Sequence, residues 1–335
     1  MIDIYKEKTK NGSTVESILF KPAEKLGIEL TAVDAGARNG LQLSPILAKR
    51  TNLVGFEPNP EEHAKLLDHT SDAELAGCPV PTYKAEQYFN CALWEENEDR
   101  SFYITAGTGA CTLMGATVGD ITSKMWMDGK NEPYGSLHTA VKKSIPIPCK
   151  RLSDIIPIQQ KIDLLKLDVE GAEYSILKGA EEHFSEKNVL FIKTEFVFTP
   201  YYEVHPVLGY QHTFLHERGY RLIDLDLNQP RYSREKTNIP STTDRRLIYA
   251  GDAYFMLDPE RNKMSATDLY RMAIMCVAYG FKSLALSLLR DAKLHTDAEL
   301  EELEHAFSKV SWHRRLKLLW NAFPNKVAQI ISPYL

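Results

Sequence analysis

Apolar runs of strand length alternate with segments of helical periodicity along most of the chain. The run 28–33 leads into Asp34 and a glycine-rich turn, which predicts a buried strand that ends at a tight turn. A helix is expected next, because apolar residues recur at Leu41, Leu43, Ile46 and Leu47. A second strand over 51–56 ends at Glu57, and Asn59-Pro60 is typical of the start of another helix. Strand, glycine turn and helix together predict a nucleotide-binding α/β unit.

The same reading predicts further strands along the chain. They cover 82–93, 100–105, 144–152, 164–167, 189–197, 220–227 and 253–257. Residues 106–144 form a long insertion of low periodicity, rich in Gly, Met and aromatic residues, which is either a substrate lid or a surface excursion. From Ser265 onward the pattern is helical. We therefore divide the chain into an N-terminal helical lead-in (1–27), a catalytic domain (28–260) and a C-terminal helical appendage (261–335).

The glycine turn favours a cofactor without phosphate. Only Gly36 and Gly40 stand in the turn, so the G-x-G-x-x-G pattern that binds a pyrophosphate is missing. Asp34, just before the turn, would repel a pyrophosphate but suits a cationic amino-acid ligand. Glu57, at the end of the second strand, is placed to accept hydrogen bonds from ribose hydroxyls. These features suit S-adenosylmethionine (SAM), which carries an ammonium group, a sulfonium and a ribose.

A second acidic centre lies in 162–180, IDLLKLDVEGAEYSILKGA. Lys166, Asp168 and Glu170 alternate along a buried strand and its end, so they share one side of it. Asp168 and Glu170 stand at the carboxyl end, where open α/β sheets bind ligands. The alternative is that Lys166 and Asp168 form a structural ion pair. Glu195, near the end of the next strand, is expected at the same edge.

Composition narrows the class of protein. The 335 residues carry a net charge of −5, which gives no general attraction to nucleic acid or to anionic membrane. The five cysteines show no C-x-x-C spacing, so neither a zinc site nor a disulfide framework is predicted. The first residues lack an apolar stretch, so no signal peptide is expected, and no apolar run approaches the roughly 18 residues of a membrane span. We predict a cytoplasmic protein.

The motifs VDAGARNG, GFEPNP and LLKLDVEGAEYSILKGA, with Glu195 after them, resemble the FkbM family of SAM-dependent methyltransferases. The resemblance covers about 28–257, and the K-x-D-x-E-G-A-E block is its most specific part. It implies an α/β class I methyltransferase (Rossmann-like) fold, a mostly parallel sheet with helices on both faces and an antiparallel last strand. It also implies methyl transfer to oxygen, on a sugar, glycan or small natural product. Arg38 departs from the family, which usually has Asn there.

Two sets of residues are predicted to form the site. The cofactor is expected at Asp34, Gly36, Asn39, Gly40, Glu57, Pro58, Asn90, Ala92 and Asp168. The candidates to orient or deprotonate the acceptor hydroxyl are Asp168, Glu170, Glu195 and His205. His205 has the best intrinsic pKa for a base. Several carboxylates could instead hold Mg²⁺, and the sequence leaves that question open.

The sequence leaves two alternatives to a methyltransferase open. One is another nucleotide-dependent or NAD-dependent enzyme on a Rossmann-like fold, against which the missing G-x-G-x-x-G counts. The other is a non-catalytic scaffold that binds partners through its helical tail, which the joint presence of Asp34, Glu57, Asp168 and Glu170 disfavours.

The C-terminal segment 312–335 has an apolar stripe, Leu316, Leu319, Trp320 and Phe323, flanked by Arg and Lys. Such a helix can lie on an anionic membrane surface, which would make the protein peripheral at the inner membrane face. The simpler interpretation is that the stripe packs on the preceding helices or on a second subunit of a homo-oligomer.

Overall fold

The computed structural model describes residues 4–70, 80–115, 125–126, 140–200, 202, 206–228, 231–232 and 248–309. Three features discussed above lie outside these ranges: His205, most of the long insertion and the C-terminal segment 312–335. Within the described ranges, no helix has the length and apolar character needed to cross a membrane.

Seven strands form the central sheet. They are β1 (Leu30–Ala35), β2 (Thr51–Phe56), β3 (Ala85–Phe89), β8 (Ile162–Leu167), β9 (Val189–Val197), β10 (Tyr220–Asn228) and β12 (Ala250–Leu257). Their order is β10-β12-β9-β8-β1-β2-β3. β12 runs antiparallel to both of its neighbours, and the other adjacent pairs are parallel. This arrangement confirms the class I methyltransferase fold expected from the sequence.

The middle of the sheet is apolar because both of its faces are covered. β1 is buried along its whole length, and β8 is buried except at Lys166. The parallel register pairs Asp34 of β1 with Lys166 of β8 and with Gly55 of β2. The carboxyl ends of these three strands therefore meet at one edge of the sheet.

Eleven α-helices are seen in the described part of the chain. They are α1 (Val15–Leu19), α2 (Lys21–Leu26), α3 (Pro45–Ala48), α4 (Pro60–Leu67), α5 (Leu152–Ile155), α6 (Glu173–Gly179), α7 (Glu181–Ser185), α8 (Leu208–Glu217), α9 (Ala266–Ala278), α10 (Lys282–Ala292) and α11 (Asp297–Ser308). Phe191 and Thr194 of β9 are three positions apart and so point to opposite faces. Phe191 stacks on Tyr279, which follows α9, with ring centroids 5.3 Å apart. The Thr194 hydroxyl donates to Gln211 of α8 at 3.0 Å. Helices thus cover both faces.

The helix predicted after the glycine turn is much shorter than expected. Leu41 and Leu43 are buried as predicted but lie in irregular chain, and α3 has only four residues. Pro45 occupies the first turn of α3. Ser44 caps the helix, because the Ser44 hydroxyl accepts a hydrogen bond from the Leu47 amide at 3.3 Å. The prediction was wrong because a residue before proline is disfavoured in helical conformation, so a helix cannot readily run through Ser44.

Further strands form two smaller sheets. β4 (Ala92–Leu93), β5 (Glu98–Thr105) and β7 (Val141–Lys150) join in the order β4-β7-β5. The strand predicted over 82–93 is therefore two strands, which belong to different sheets. The three-stranded sheet buries Trp94, Phe102 and Ile147 in a cluster with Ala172, next to the end of β8. The remaining pair is β6 (Met125–Trp126) with β11 (Arg231–Tyr232).

The N-terminal and C-terminal helices pack on each other and on the central sheet. The Tyr270 hydroxyl of α9 donates to the carbonyl of Leu19 at 2.8 Å. Arg271 contacts both carboxylate oxygens of Asp163, in β8, at 3.0 and 2.9 Å. The buried side chains of these helices are continuous with the sheet's core. The division of the chain at residues 27 and 260 stays a prediction.

Candidate active site

The turn after β1 is held tightly against the end of β8. Gly36 has a φ of +78°, and a Cβ added there would lie 1.9 Å from the carbonyl oxygen of Asp168. Only glycine fits such an approach with that backbone conformation. The amides of Gly36 and Ala37 donate to the carbonyl of Phe56 in β2 at 3.1 and 3.0 Å. The turn is therefore fixed to both neighbouring strands.

The Lys166 side chain connects β1, the glycine turn and the loop after β8. Its ammonium group lies 3.0 Å from Asp34, 3.4 Å from Asp168 and 3.5 Å from the carbonyl oxygen of Gly36. Burial disfavours the charged form of Lys166, but Asp34 and Asp168 outweigh it and hold the pKa of Lys166 well above its ordinary value. The structural ion pair considered for Lys166 and Asp168 is thus present, and Asp34 completes it as a triad.

Asp34 lies beneath this lysine. It is 1 % exposed, and its Oδ2 has no hydrogen-bond partner within the described residues. Burial raises the pKa of Asp34, and the Lys166 ammonium acts in the opposite direction. Lys166 therefore stands between Asp34 and Asp168.

Glu57 ends β2 with its carboxylate buried at 5 % exposure. One oxygen accepts the amide of Asn59 at 2.8 Å. Burial raises the pKa of Glu57 to about 7, although the backbone amides of Asn59 and Arg38 favour the charged form. Asn90 supports the loop from behind, because its amide donates to the carbonyls of Glu57 and Pro58 at 2.9 and 3.2 Å.

The loop after β8 folds around Glu173. Its carboxylate accepts the amides of Val169 and Gly171 at 3.0 and 3.1 Å. This loop holds Glu170 in the left-handed region, at φ +57°. The Thr112 hydroxyl of the insertion donates to the Glu170 carbonyl at 2.7 Å and fixes the loop from the other side.

Glu170 and Glu195 are half-buried acids that interact electrostatically. Burial, and then the charges of Asp168 and Glu173, raise the pKa of Glu170 to about 8. Burial and the neighbouring Glu170 raise the pKa of Glu195 well above its ordinary value. The two carboxyls therefore hold protons near neutral pH more readily than ordinary glutamates do.

A cavity of about 590 Å³, counting its space open to solvent, lies at this edge. Its lining comprises Ala35, Gly36, Arg38, Phe56, Glu57, Pro58, Ala92, Leu93, Phe102, Gly109, Cys111, Leu113, Asp168, Val169, Glu170 and Ala172. Acidic groups thus stand beside an apolar wall.

The cavity includes part of the predicted site. Six predicted residues line it: Gly36, Glu57, Pro58, Ala92, Asp168 and Glu170. Five do not: Asp34, Asn39, Gly40, Asn90 and Glu195. Asp34 lies under Lys166, Asn90 holds the Glu57 loop, and a Cβ on Gly40 would meet Val80 at 2.8 Å. Asp34 and Asn90 therefore support the lining from behind, and Glu195 interacts electrostatically with Glu170.

Sequence reasoning missed the wall contributed by the insertion. Phe102 was recognised only as part of an alternating strand, and Gly109, Cys111 and Leu113 were assigned to an insertion interpreted as a substrate lid or a surface excursion. Arg38 was noted as a departure from a family pattern, without a role. The position of Arg38 in the middle of the glycine turn is the signal from which its place at the cavity could have been predicted.

A metal site finds no support in the described residues. No group of three or more His, Cys, Asp or Glu side chains in those ranges is arranged to hold a metal ion.

Comparisons with known proteins identify similar chains. "Methyltransferase 1" of Beauveria bassiana (strain ARSEF 2860) is 26 % identical over 156 residues, which are 45 % of this chain and 58 % of that protein. The chain thus matches a little over half of that relative's length. Among solved structures, methyltransferase FkbM from Methylobacillus flagellatus KT aligns at a TM-score of 0.32 and 15 % identity, over 68 % of this chain and 43 % of that one.

Magnesium protoporphyrin IX methyltransferase from Synechocystis PCC 6803, with bound SAM, aligns at a TM-score of 0.32 and 10 % identity, over 72 % of this chain and 77 % of that one. The model of the methyltransferase FkbM domain matches residues 34–222, which include the glycine turn, Glu57 and the acidic loop after β8. Because that match spans more than half of the chain, the protein belongs to the FkbM methyltransferase family.

Proposed function

We propose that the protein transfers a methyl group from SAM to a hydroxyl oxygen of a sugar, a glycan or a small natural product. The observation that carries this proposal is one cavity with Glu57 at the end of β2 and with Asp168 and Glu170 after β8. Both halves of the predicted site thus face the same space.

The lining fits SAM in its chemistry. Phe56, Leu93 and Phe102 offer an apolar wall to a flat base, and Glu57 offers a carboxyl group to ribose hydroxyls. Asp168 is 44 % exposed and offers a carboxylate to a cationic group. When bound there, SAM supplies an electrophilic methyl group.

Glu170 is the group that we propose takes the acceptor's proton. It lines the cavity, and its raised pKa of about 8 makes it a stronger base than an ordinary glutamate once it is deprotonated. Glu195 acts behind it as a positioning residue that shares the proton. His205, outside the described residues, is the alternative base.

Direct binding and product analysis test this function. Calorimetry should show that the protein binds SAM and S-adenosylhomocysteine (SAH), whereas NAD should not bind measurably. Cell extract with methyl-labelled SAM should then yield a product labelled on oxygen, identified by mass spectrometry. Binding of NAD without SAM would support the rival Rossmann-like enzyme, and label on nitrogen or carbon alone would overturn the oxygen acceptor.

A further inference from the structure

The guanidinium group of Arg38 lies in the cavity with no hydrogen-bond acceptor within the described residues. Its Nε is buried without a hydrogen-bond partner, although it is ion-paired with Glu62, and the side chain is 29 % exposed. The nearest acid is Glu62, whose Oε2 lies 3.7 Å from that Nε, beyond hydrogen-bond distance. Donors held away from water without acceptors are costly, so this side chain is incomplete as it stands.

Arg50 and Arg271 are arginines whose guanidinium groups the protein itself satisfies. Arg50 has nearly the same exposure, 30 %, but its Nη1 donates to the Ile46 carbonyl at 3.0 Å and its Nη2 lies 2.9 Å from Glu16. Arg271 contacts both oxygens of Asp163. The contrast indicates that Arg38 takes its acceptor from a ligand.

The surroundings fix how that ligand approaches. Glu62 is buried at 4 % exposure and holds the guanidinium from behind. Gly109 covers it closely, because a Cβ added there would lie 3.3 Å from Nη1 of Arg38. An acceptor must therefore come from the cavity, where the other charged groups of the lining are the acids Glu57, Asp168 and Glu170.

We propose that Arg38 forms an anion subsite that binds a carboxylate or phosphate group of a ligand in this cavity. A planar guanidinium suits both anions, because its donors match two oxygens at once. Under the proposed function, on which this inference rests, the anion is the methionyl carboxylate of SAM, whose cationic groups match the acids. The other source is an anionic group on the methyl acceptor.

The first arm of the test compares two ligands by calorimetry. SAH carries the carboxylate, and 5′-methylthioadenosine lacks the whole amino-acid part. Arg38→Met should lower SAH affinity by about ten- to a hundred-fold and leave methylthioadenosine affinity within about two-fold. Arg38→Lys should keep part of the SAH affinity. Arg50→Met is the matched control and should change neither affinity.

The second arm uses inorganic phosphate as the probe. If the anion belongs to the acceptor, phosphate should bind the SAH-saturated wild type, seen as broadening of its ³¹P resonance, and Arg38→Met should remove that broadening. SAH affinity would then be unchanged in Arg38→Met. Thermal unfolding of each variant shows that it is folded before binding is compared.

The outcomes separate this inference from the proposed function. Loss of SAH affinity alone assigns the cofactor carboxylate, and loss of phosphate binding alone assigns the acceptor. If a folded Arg38→Met protein matches wild type with both probes, the anion subsite does not exist. If wild type binds neither nucleoside, the proposed function fails, and phosphate binding to the unliganded protein still decides whether Arg38 recognises an anion.

Discussion

Asp168 and Glu170 are two positions apart at the end of the same strand, yet they lie in opposite environments. Asp168 is 44 % exposed and lies 3.4 Å from the Lys166 ammonium. Glu170 is half-buried, and burial together with the charges of Asp168 and Glu173 raises its pKa to about 8. Both line the same cavity.

The difference teaches that strand position alone does not assign a chemical role. Groups whose surroundings push their pKa values apart can divide acid, base and electrostatic tasks between them. A carboxylate paired with lysine suits contact with a cationic ligand, whereas a carboxyl without a cation suits proton transfer.

The largest expected effect is on the chemical step. Glu170→Gln should lower kcat by roughly 10²–10⁴-fold, the usual loss for a general base, while SAM affinity stays within a few-fold. In wild type, kcat/KM should rise with pH through an apparent pKa near 8, and Glu170→Gln should remove that rise. Steady-state kinetics over pH 6–9 measure both.

The controls for that experiment separate the two candidate bases. Glu186→Gln, an exposed substitution away from the cavity, should behave like wild type. A rise in kcat/KM centred near 6.5, the ordinary pKa of histidine, that disappears in His205→Ala would transfer the base role from Glu170 to His205.

The next largest effect is on stability and concerns Lys166, which pairs with Asp168 and Asp34. Lys166→Met leaves Asp34 buried without a cation, which should lower the free energy of unfolding by about 3–5 kcal/mol. Urea denaturation measures it. Asp34→Asn combined with Lys166→Met should recover part of the loss, because the uncompensated charge is removed. A loss below about 1 kcal/mol would show that the triad is not a buried ion pair in solution.

Much of this fold could be predicted because the central strands carry long apolar runs. β9 was predicted at its observed bounds, 189–197, and the acids at the ends of β2 and β8 follow from those strands. Parallel strands that are buried on both faces appear in a sequence as nearly continuous apolar runs, which can be recognised without knowledge of the rest of the fold.

The rest of the site depends on contacts between distant residues. Asp34 was expected to touch the cofactor, but Lys166, 132 positions away, covers it. Phe102 and Gly109 reach the cavity through a separate three-stranded sheet, and no local pattern states where that sheet packs. Asn90 was placed near the correct edge, but only its hydrogen bonds to the Glu57 and Pro58 carbonyls show that it supports the lining from behind.

The smallest expected effect is a slope of stability with pH. A carboxyl whose pKa is raised in the folded state stabilises the protein fully below its unfolded pKa, near 4.5, and loses that contribution as pH rises through the folded value. For Glu170 the window runs from about 4.5 to about 8. One such group changes the free energy of unfolding by at most about 1.4 kcal/mol per pH unit. Glu57 and Glu173, with pKa values raised to about 7 by burial, add to the same slope.

Urea denaturation of the ligand-free protein at intervals from pH 5 to 8.5 tests this linkage. Wild type should become less stable as pH rises across the window, and Glu170→Gln should flatten the slope, because a neutral amide replaces the group that must lose its proton. The same substitution also relieves Glu195, whose pKa is raised in part by Glu170. Asp168→Asn is the comparison that decides the point. Because burial is a larger cause of the raised pKa of Glu170 than the charge of Asp168 is, Asp168→Asn should leave most of the slope in place. Equal flattening by both substitutions would show that the two carboxylates share one environment and one role.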